Sequence, residues 1–482
     1  MSSKFRTYVT MITQIAHKEF IEVIRDGRFR WTATSILLLL ILSLLLGWHH
    51  YHEVQKEQLT AQAADEEQWL TQGERNPHIA AHFGKYAFKP HPPLSFFDRG
   101  IESYTGIAVW MEAHNQDAFE YRPFEDSTTV SSFGELTTAT VLQLLLPLLI
   151  ILMSFSTFTA ERENGTLRLI LSLGVQRRSL VLGKFIGLTA ALSLLIAPAI
   201  VLGLLTLAMV NSSEGLAIST TRYVMIFIAY LLYFGAFLSL SLTISAWART
   251  SRIALVVLLG FWITTGLIVP RLSADISENL YPVPSSFEFW QNVNHDKHNG
   301  IDGHNASDNR VEALKKRVLS QYQVSKIEEL PINFDGLLLQ AGEDYGNQVF
   351  DKHYGNLWQT YEYQNHVQKL TAIVAPLLAI RWLSMGLAGT DWQHHKHFAN
   401  AAENYRRQLN KTLNDDLTYK SRTGEYTYIA GRSLWESISP FTYQTPGLLW
   451  ALKNHLSSLI TLTGWFVLTT TMAIVTTTRI KS

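Results

Sequence analysis

No Asp, Glu, Lys or Arg occurs in residues 136–160 or 185–213. A bilayer core takes about 20 residues of helix, and a backbone in lipid must satisfy its own hydrogen bonds. Both stretches are long enough, so they can fold only as membrane helices. Between them lies ERENGTLRLILSLGVQRRSLVLGK, residues 161–184. This insert sets Arg162, Arg168, Arg177, Arg178 and Lys184 against Glu161 and Glu163, a basic excess that places it on the cytoplasmic side. Gly165 ends one helix and Thr166 caps the next. Residues 167–173 then read as a short helix closed by Gly174. A loop taking the shortest route would need no helix of its own. One that builds a helix across the exit of a membrane hairpin has a shape suited to docking.

The remaining uncharged runs bring the spans to six, at roughly 31–48, 136–160, 185–210, 223–247, 253–270 and 454–478. The pieces assigned to the cytoplasm are residues 1–30, the insert 161–184, the turn holding Arg249 and Arg252, and the end with Arg479 and Lys481. Together they carry 15 basic and 5 acidic residues. On the other side, residues 49–135 carry 6 basic and 14 acidic, and residues 272–452 carry 16 and 20. The contrast puts both termini in the cytoplasm, and segments 49–135 and 271–453 in the periplasm. Trp31, Trp48, Trp247 and Tyr223 stand at span ends, where amphipathic rings prefer the interface. The start lacks the early apolar core and small-residue cleavage site of a signal peptide, so the first run is expected to stay as a helix.

Residues 371–390 are apolar enough to suggest a seventh span. Arg381 at their middle would cost about 2.5–3.5 kcal/mol there, and an odd count would put the basic C-terminus outside. A helix in the external domain, packed or lying at the membrane surface, is expected instead. Before the first span, Ile12, Ala16, Phe20 and Val23 mark one face of a helix. Lying in the inner interface is its simplest placement, and packing on protein is the alternative.

The external segments read as mainly helical. Val311, Leu314, Val318 and Tyr322 are at helical spacing, as are Phe398, Ala402, Tyr405, Leu409 and Leu413. No alternating strand pattern competes strongly, and the first segment is expected to lie against the second. The fold class is therefore mostly α: a polytopic membrane protein with six spans, an interfacial N-terminal helix and a large, mainly helical extracytoplasmic domain.

Several functions are excluded. The net charge is zero, which offers no basic face for nucleic acid. With no cysteine there is no disulfide or thiolate chemistry. The spans hold no ionisable residue away from their ends, so proton- or ion-coupled pumping lacks its carriers. Gly183-Lys184 is followed by Phe185, where a phosphate loop needs Ser or Thr for its metal ion. Energy for any uphill transport must come from a partner.

The insert resembles the coupling-helix segment of ABC-2 type transporter permeases, in which an ERExGTL-like run precedes a short helix, a basic pair and Gly-Lys. Glu161, Arg162, Glu163, Gly165, Thr166, Leu167, Arg177, Arg178, Gly183 and Lys184 stand at the matching places, with Gly174 where proline is usual. Residues 76–114 and 387–409 are similar to a branch of that superfamily with large periplasmic inserts of unknown function. The resemblance implies a non-enzymatic permease subunit in a bacterial inner membrane. It implies contact with lipid, pairing with a second copy or a paralogue, and docking on cytoplasmic ABC ATPase subunits that hold the ATP and magnesium. The chain itself is then expected to hold no cofactor. Glu161 and Glu163 would face basic groups of the ATPase, and Leu167 and Leu171 would fill an apolar groove. The function so implied is export or extraction of an unknown substrate toward the periplasm. Two alternatives stand beside it: mechanotransmission, in which the external helices move without cargo crossing, and an external metal-binding protein. Seventeen histidines motivate the latter. They cluster at His49, His50 and His52, at His295, His298 and His304, and at His394, His395 and His397. His394 and His397 fall on one helix face, as do His78 and His82. No cluster has the spacing of a specific zinc motif, so none is assigned as a metal site, the triplet at 394–397 being the weak candidate.

Overall fold

The computed structural model describes residues 3–120, 136–210, 215–301, 307–425 and 427–479. Residues 121–135, His304 and Lys481 therefore lie outside the described residues. The described chain is mostly helical, and six of its helices are long and apolar enough to cross a membrane: Gly27–Leu70, Thr138–Glu163, Arg177–Ala208, Leu216–Trp247, Ser251–Leu280 and Leu456–Thr478. They coincide with the six uncharged runs and are numbered here as spans one to six.

Several of them run further than their apolar parts, span one the furthest. Span one is 44 residues long, about 66 Å of helix at 1.5 Å per residue and roughly twice the thickness of a hydrocarbon core. Its second half, HEVQKEQLTAQAADEEQWL, is polar but made of good helix formers, so nothing stops the helix at residue 48. It ends at Leu70, next to Trp69, whose ring meets Trp435 at 5.7 Å and whose indole N–H donates to the Trp435 carbonyl. Span four starts at Leu216 rather than 223, which brings Arg222 inside the helix. That guanidinium is buried and donates to the carbonyls of Leu387 and Pro446. Tyr223, expected at an interface, is also buried and packs on Gly203. Trp31 and Trp247 are 79% and 64% exposed, as rings at a headgroup layer would be.

Spans two and four form the centre of the bundle, each 67% buried along its most apolar stretch, whereas spans five and six are only 22% and 17% buried. The 371–390 segment does not lie on a surface. It forms the helix Pro376–Ala388, buried along nearly its whole length in the same core as the spans. At 13 residues it is about 20 Å long, too short to cross a bilayer. It brings polar groups with it: the Ser384 hydroxyl donates to Asp98, which enters from the loop before Gly100. The tally of ionisable groups in the spans misses these, because loops and a short helix supply them.

The N-terminal helix Ser3–Arg25 packs on span three. A Cβ on Gly183 would fall 2.6 Å from Ile15 Cβ, and one on Gly187 would fall 2.4 Å from the Ala16 carbonyl oxygen. Two glycines one helical turn apart let the two helices meet almost backbone to backbone. The apolar stripe of this helix thus faces protein.

The non-spanning region is built on the helices Ser286–Asn299, Ser307–Tyr322, Phe334–Thr371 and Trp392–Lys420. Leu314 and Val318 are buried as their spacing predicts, as are Phe398, Ala402, Leu409 and Leu413. A three-stranded antiparallel sheet, β1 (Lys85–Phe88), β2 (Ala108–Met111) and β3 (Gln116–Glu120), is the element the sequence did not announce. Lys85 pairs with Met111 and Ala108 with Glu120. Strands of four or five residues are too short for alternation to register. The sheet lays Ala87, Val109 and Met111 on Phe398 and Ala402, so the first segment does lie against the second.

Candidate coupling site

The elbow between spans two and three is shaped by two glycines. Gly165 and Gly174 have φ of +76° and +82°, with no atom near a built Cβ at either. What demands glycine there is the left-handed backbone, not lack of room. Between them runs the helix Thr166–Ser172, one residue earlier than the sequence suggests. Thr166 does not cap it. Its hydroxyl donates back to the Glu161 carbonyl at 3.2 Å.

Each charged residue of the Glu-Arg-Glu run reaches a different part of the chain. Glu161 Oε1 lies 2.9 Å from Lys184 Nζ on span three and 3.0 Å from Lys18 Nζ on the N-terminal helix. Lys184 Nζ also lies 2.6 Å from Glu19 Oε1, donates to the Thr157 carbonyl and sits 5.2 Å from the centre of the Phe158 ring. Glu19, Glu161 and Lys184 are buried, and Lys18 closes the group at the rim, with its side chain 45% exposed. The two buried carboxylates are balanced by the two ammonium groups, which is the condition for burying charge at all. The exposed Glu22 adds a third carboxylate 3.2 Å from Lys18 at the rim. Burial opposes the charge of Lys18, but Glu19 and Glu161 beside it hold its ammonium above the ordinary lysine value.

Arg162 donates to the Ala246 and Ala248 carbonyls at the end of span four. Glu163 accepts from the backbone N–H and the hydroxyl of Ser251, at 2.8 and 3.0 Å, at the first turn of span five. A carboxylate at a helix N-terminus is well placed against the unpaired N–H groups there. The elbow is therefore tied to the N-terminal helix and to spans three, four and five.

Glu161 and Glu163 both find partners within the chain, Glu161 buried among them and Glu163 still exposed at the surface. Leu167 is likewise buried in the chain's own core, and Leu171 is half-buried against it. The outward apolar side chains are Leu169 and Leu173, 61% and 75% exposed and one helical turn apart. Arg168 and Arg178 are exposed beside them and Arg177 is half-buried. Lys18 and Glu19 were missed. A signal existed: Glu19 falls on the apolar stripe between Ala16 and Val23, where an acid has no reason to be unless something charged meets it.

The histidines 394–397 do not share one centre. His394 pairs with Asp391, His395 packs on the Phe119 and Trp392 rings, and His397 Nδ1 lies 3.0 Å from the Tyr443 hydroxyl. Nearby, Trp110, Phe119, Phe289, Trp290, Trp358 and Trp392 line a cavity of about 370 Å³. Asp117 also lines it; burial, with Glu112 adding to it, pushes its carboxyl up to about 6.

Residues 111–287, which contain the elbow and spans two to five, match the family described as ABC-2 family transporter protein. Residues 286–444, the helices of the non-spanning region, match a domain of unknown function, DUF3526. No curated protein matches the chain. The chain is thus a multi-pass transmembrane protein that carries an ABC-2 family transporter region over its second to fifth spans and a domain of unknown function between its fifth and sixth.

Proposed function

We propose that the chain is the permease subunit of an ATP-driven transporter whose ATPase is a separate cytoplasmic protein gripping the Thr166–Ser172 helix. The observation that carries this reading is the bracing of the elbow: every charged residue of its Glu-Arg-Glu run holds a different helix, so a push on the elbow reaches four others at once. Leu169 and Leu173 supply the apolar contact, and Arg168 and Arg178 the charge around it. ATP and magnesium sit on the partner. The sparsely buried spans five and six leave apolar surface for lipid and for a second permease, a copy or a paralogue. Both termini are cytoplasmic in this arrangement, and the non-spanning region is periplasmic.

Leu173→Asp is expected to leave insertion and thermal stability unchanged, because the side chain touches little of its own chain, while abolishing stimulation of the cognate ATPase in proteoliposomes. Undiminished stimulation would remove the docking assignment. The chain has no cysteine, so Ser172→Cys gives a single thiol for side-specific labelling. Modification only from the periplasmic face would overturn the topology and the mechanism together.

A specific observation also supports mechanotransmission. Span one is a single helix from the membrane to Trp69, where it is fixed in the non-spanning region by Trp435. Such a rod carries movement outward whether or not cargo crosses. The aromatic cavity is the place for an amphipathic cargo if one does. Transport assayed in proteoliposomes with the cognate ATPase separates the two.

A further inference from the structure

We propose that His78, His82 and His114 bind a divalent transition metal ion of the zinc class in the non-spanning region. Their ligand nitrogens all lie within 4.8 Å of one another, and their three rings converge with centroids 4.8, 5.1 and 5.0 Å apart. The site joins two elements. His78 and His82 stand one turn apart on the helix Pro77–Phe83, whose start is fixed by the Asn76 side chain accepting from the His78 N–H. His114 comes from the turn between β2 and β3, held at a φ of +67° that few residues other than glycine adopt.

Three features point to a metal. His78 Nε2 and His82 Nε2 are 3.2 Å apart, close to the ~3.3 Å edge that a tetrahedron with metal–nitrogen bonds of about 2.0–2.1 Å requires. No pair of ligand nitrogens is more than 4.8 Å apart, so side-chain adjustments of about 1.5 Å at most bring all three to the edge length of that tetrahedron. His114 carries the outer support typical of a ligating imidazole: its Nδ1 lies 2.6 Å from Glu343 Oε1, so Nε2 is left to face the cluster. Glu343 is itself buried and held by Arg406 and Asn410, while the His114 carbonyl accepts from Lys297. The left-handed backbone at His114, the carboxylate behind it and the lysine on its carbonyl together fix one ring in one direction. Packing does not explain this convergence, because His82 is exposed and no apolar core closes over it.

All-nitrogen donors disfavour the hard cations magnesium and calcium, which take oxygen. Three imidazoles leave a fourth position open on a zinc ion, and the exposed side of His82 gives it access. This is the geometry of a site that exchanges a ligand or hands its ion on, rather than of a closed structural one.

The test uses the full-length chain in detergent, with its affinity tag removed and without any ATPase, so its outcome is independent of the coupling assignment. Zinc ions alone are titrated by calorimetry after chelator treatment, and bound metal is counted by mass spectrometry. One tightly held equivalent per chain is expected, and cobalt substitution should give the intense visible bands of a tetrahedral site. His82→Ala, which removes an exposed ring, should fold normally and bind at least tenfold more weakly. His114→Ala should do the same, and His49→Ala should bind as wild type. Failure of the wild type to retain zinc overturns the proposal. So does unchanged affinity in His82→Ala, which would place any bound metal elsewhere.

Discussion

Lys184→Met is expected to be the most damaging single change around the elbow, lowering stability by about 3–5 kcal/mol. Lys184 is fully buried, and its ammonium is shared by Glu19 at 2.6 Å and Glu161 at 2.9 Å. Methionine fills much the same volume, so the loss is electrostatic and not a cavity. Two buried carboxylates would remain, with only the half-exposed Lys18 beside them. One of them must then take up a proton or drag in water. The N-terminal helix, seated on Gly183 and Gly187 of span three, loses the ion pair that locks it there. A lower melting midpoint in detergent should follow and, on the proposed function, stimulation of the partner ATPase should be lost even in vesicles where the chain is correctly inserted. The double variant Lys184→Met with Glu19→Gln should recover part of the stability, since it removes a stranded charge with its partner. A Lys184→Met protein as stable as wild type would show that the network does not brace the elbow.

This network also marks the limit of what the sequence carries. Runs without charge are local facts, and so were the six spans, the two glycines of the elbow and the short helix between them. Hydropathy reports where lipid contact ends, not where a helix ends, which is why the polar continuation of span one to Leu70 was invisible. The phase of the elbow helix was equally hidden. With only seven residues its rotation is set by the spans to which it is joined, and this turned Leu167 inward and Leu173 outward. The partners of Glu161 are 143 residues away in Lys18 and 23 away in Lys184. No local period links such groups, though an acid on an apolar stripe at Glu19 could have raised the question. The third histidine of the proposed metal site is distant in the same way, since His114 reaches His78 and His82 only through the fold of the sheet.

Asp391→Asn should be the most damaging change in the opposite half of the molecule. Asp391 has no exposure, caps the helix Trp392–Lys420 by accepting from the His394 N–H, and bonds the His394 ring through the same oxygen. Its other oxygen lies 2.6 Å from His455 Nε2, at the start of span six. The carboxylate thus pins the long helix of the non-spanning region to the last span. The buried helix Pro376–Ala388 is wedged beside it, since a Cβ on Gly386 would overlap the His455 ring. Burial alone would raise the Asp391 carboxyl, but His394 and His455 outweigh it and hold the group well below the usual carboxylate range. A folded-state value below the unfolded one, about 3.9, contributes stability that is present above that pH. The same contribution is lost as pH falls from there through the folded-state value. Asparagine keeps the shape and a capping oxygen but not the charge, and breaking a buried pair of this kind costs about 3–5 kcal/mol. Wild type should therefore melt well above Asp391→Asn between pH 5 and pH 8, with the two midpoints converging only below about pH 4. Equal midpoints at neutral pH, or a gap that survives acidification unchanged, would show that the charge on Asp391 does not hold span six to the helix above it.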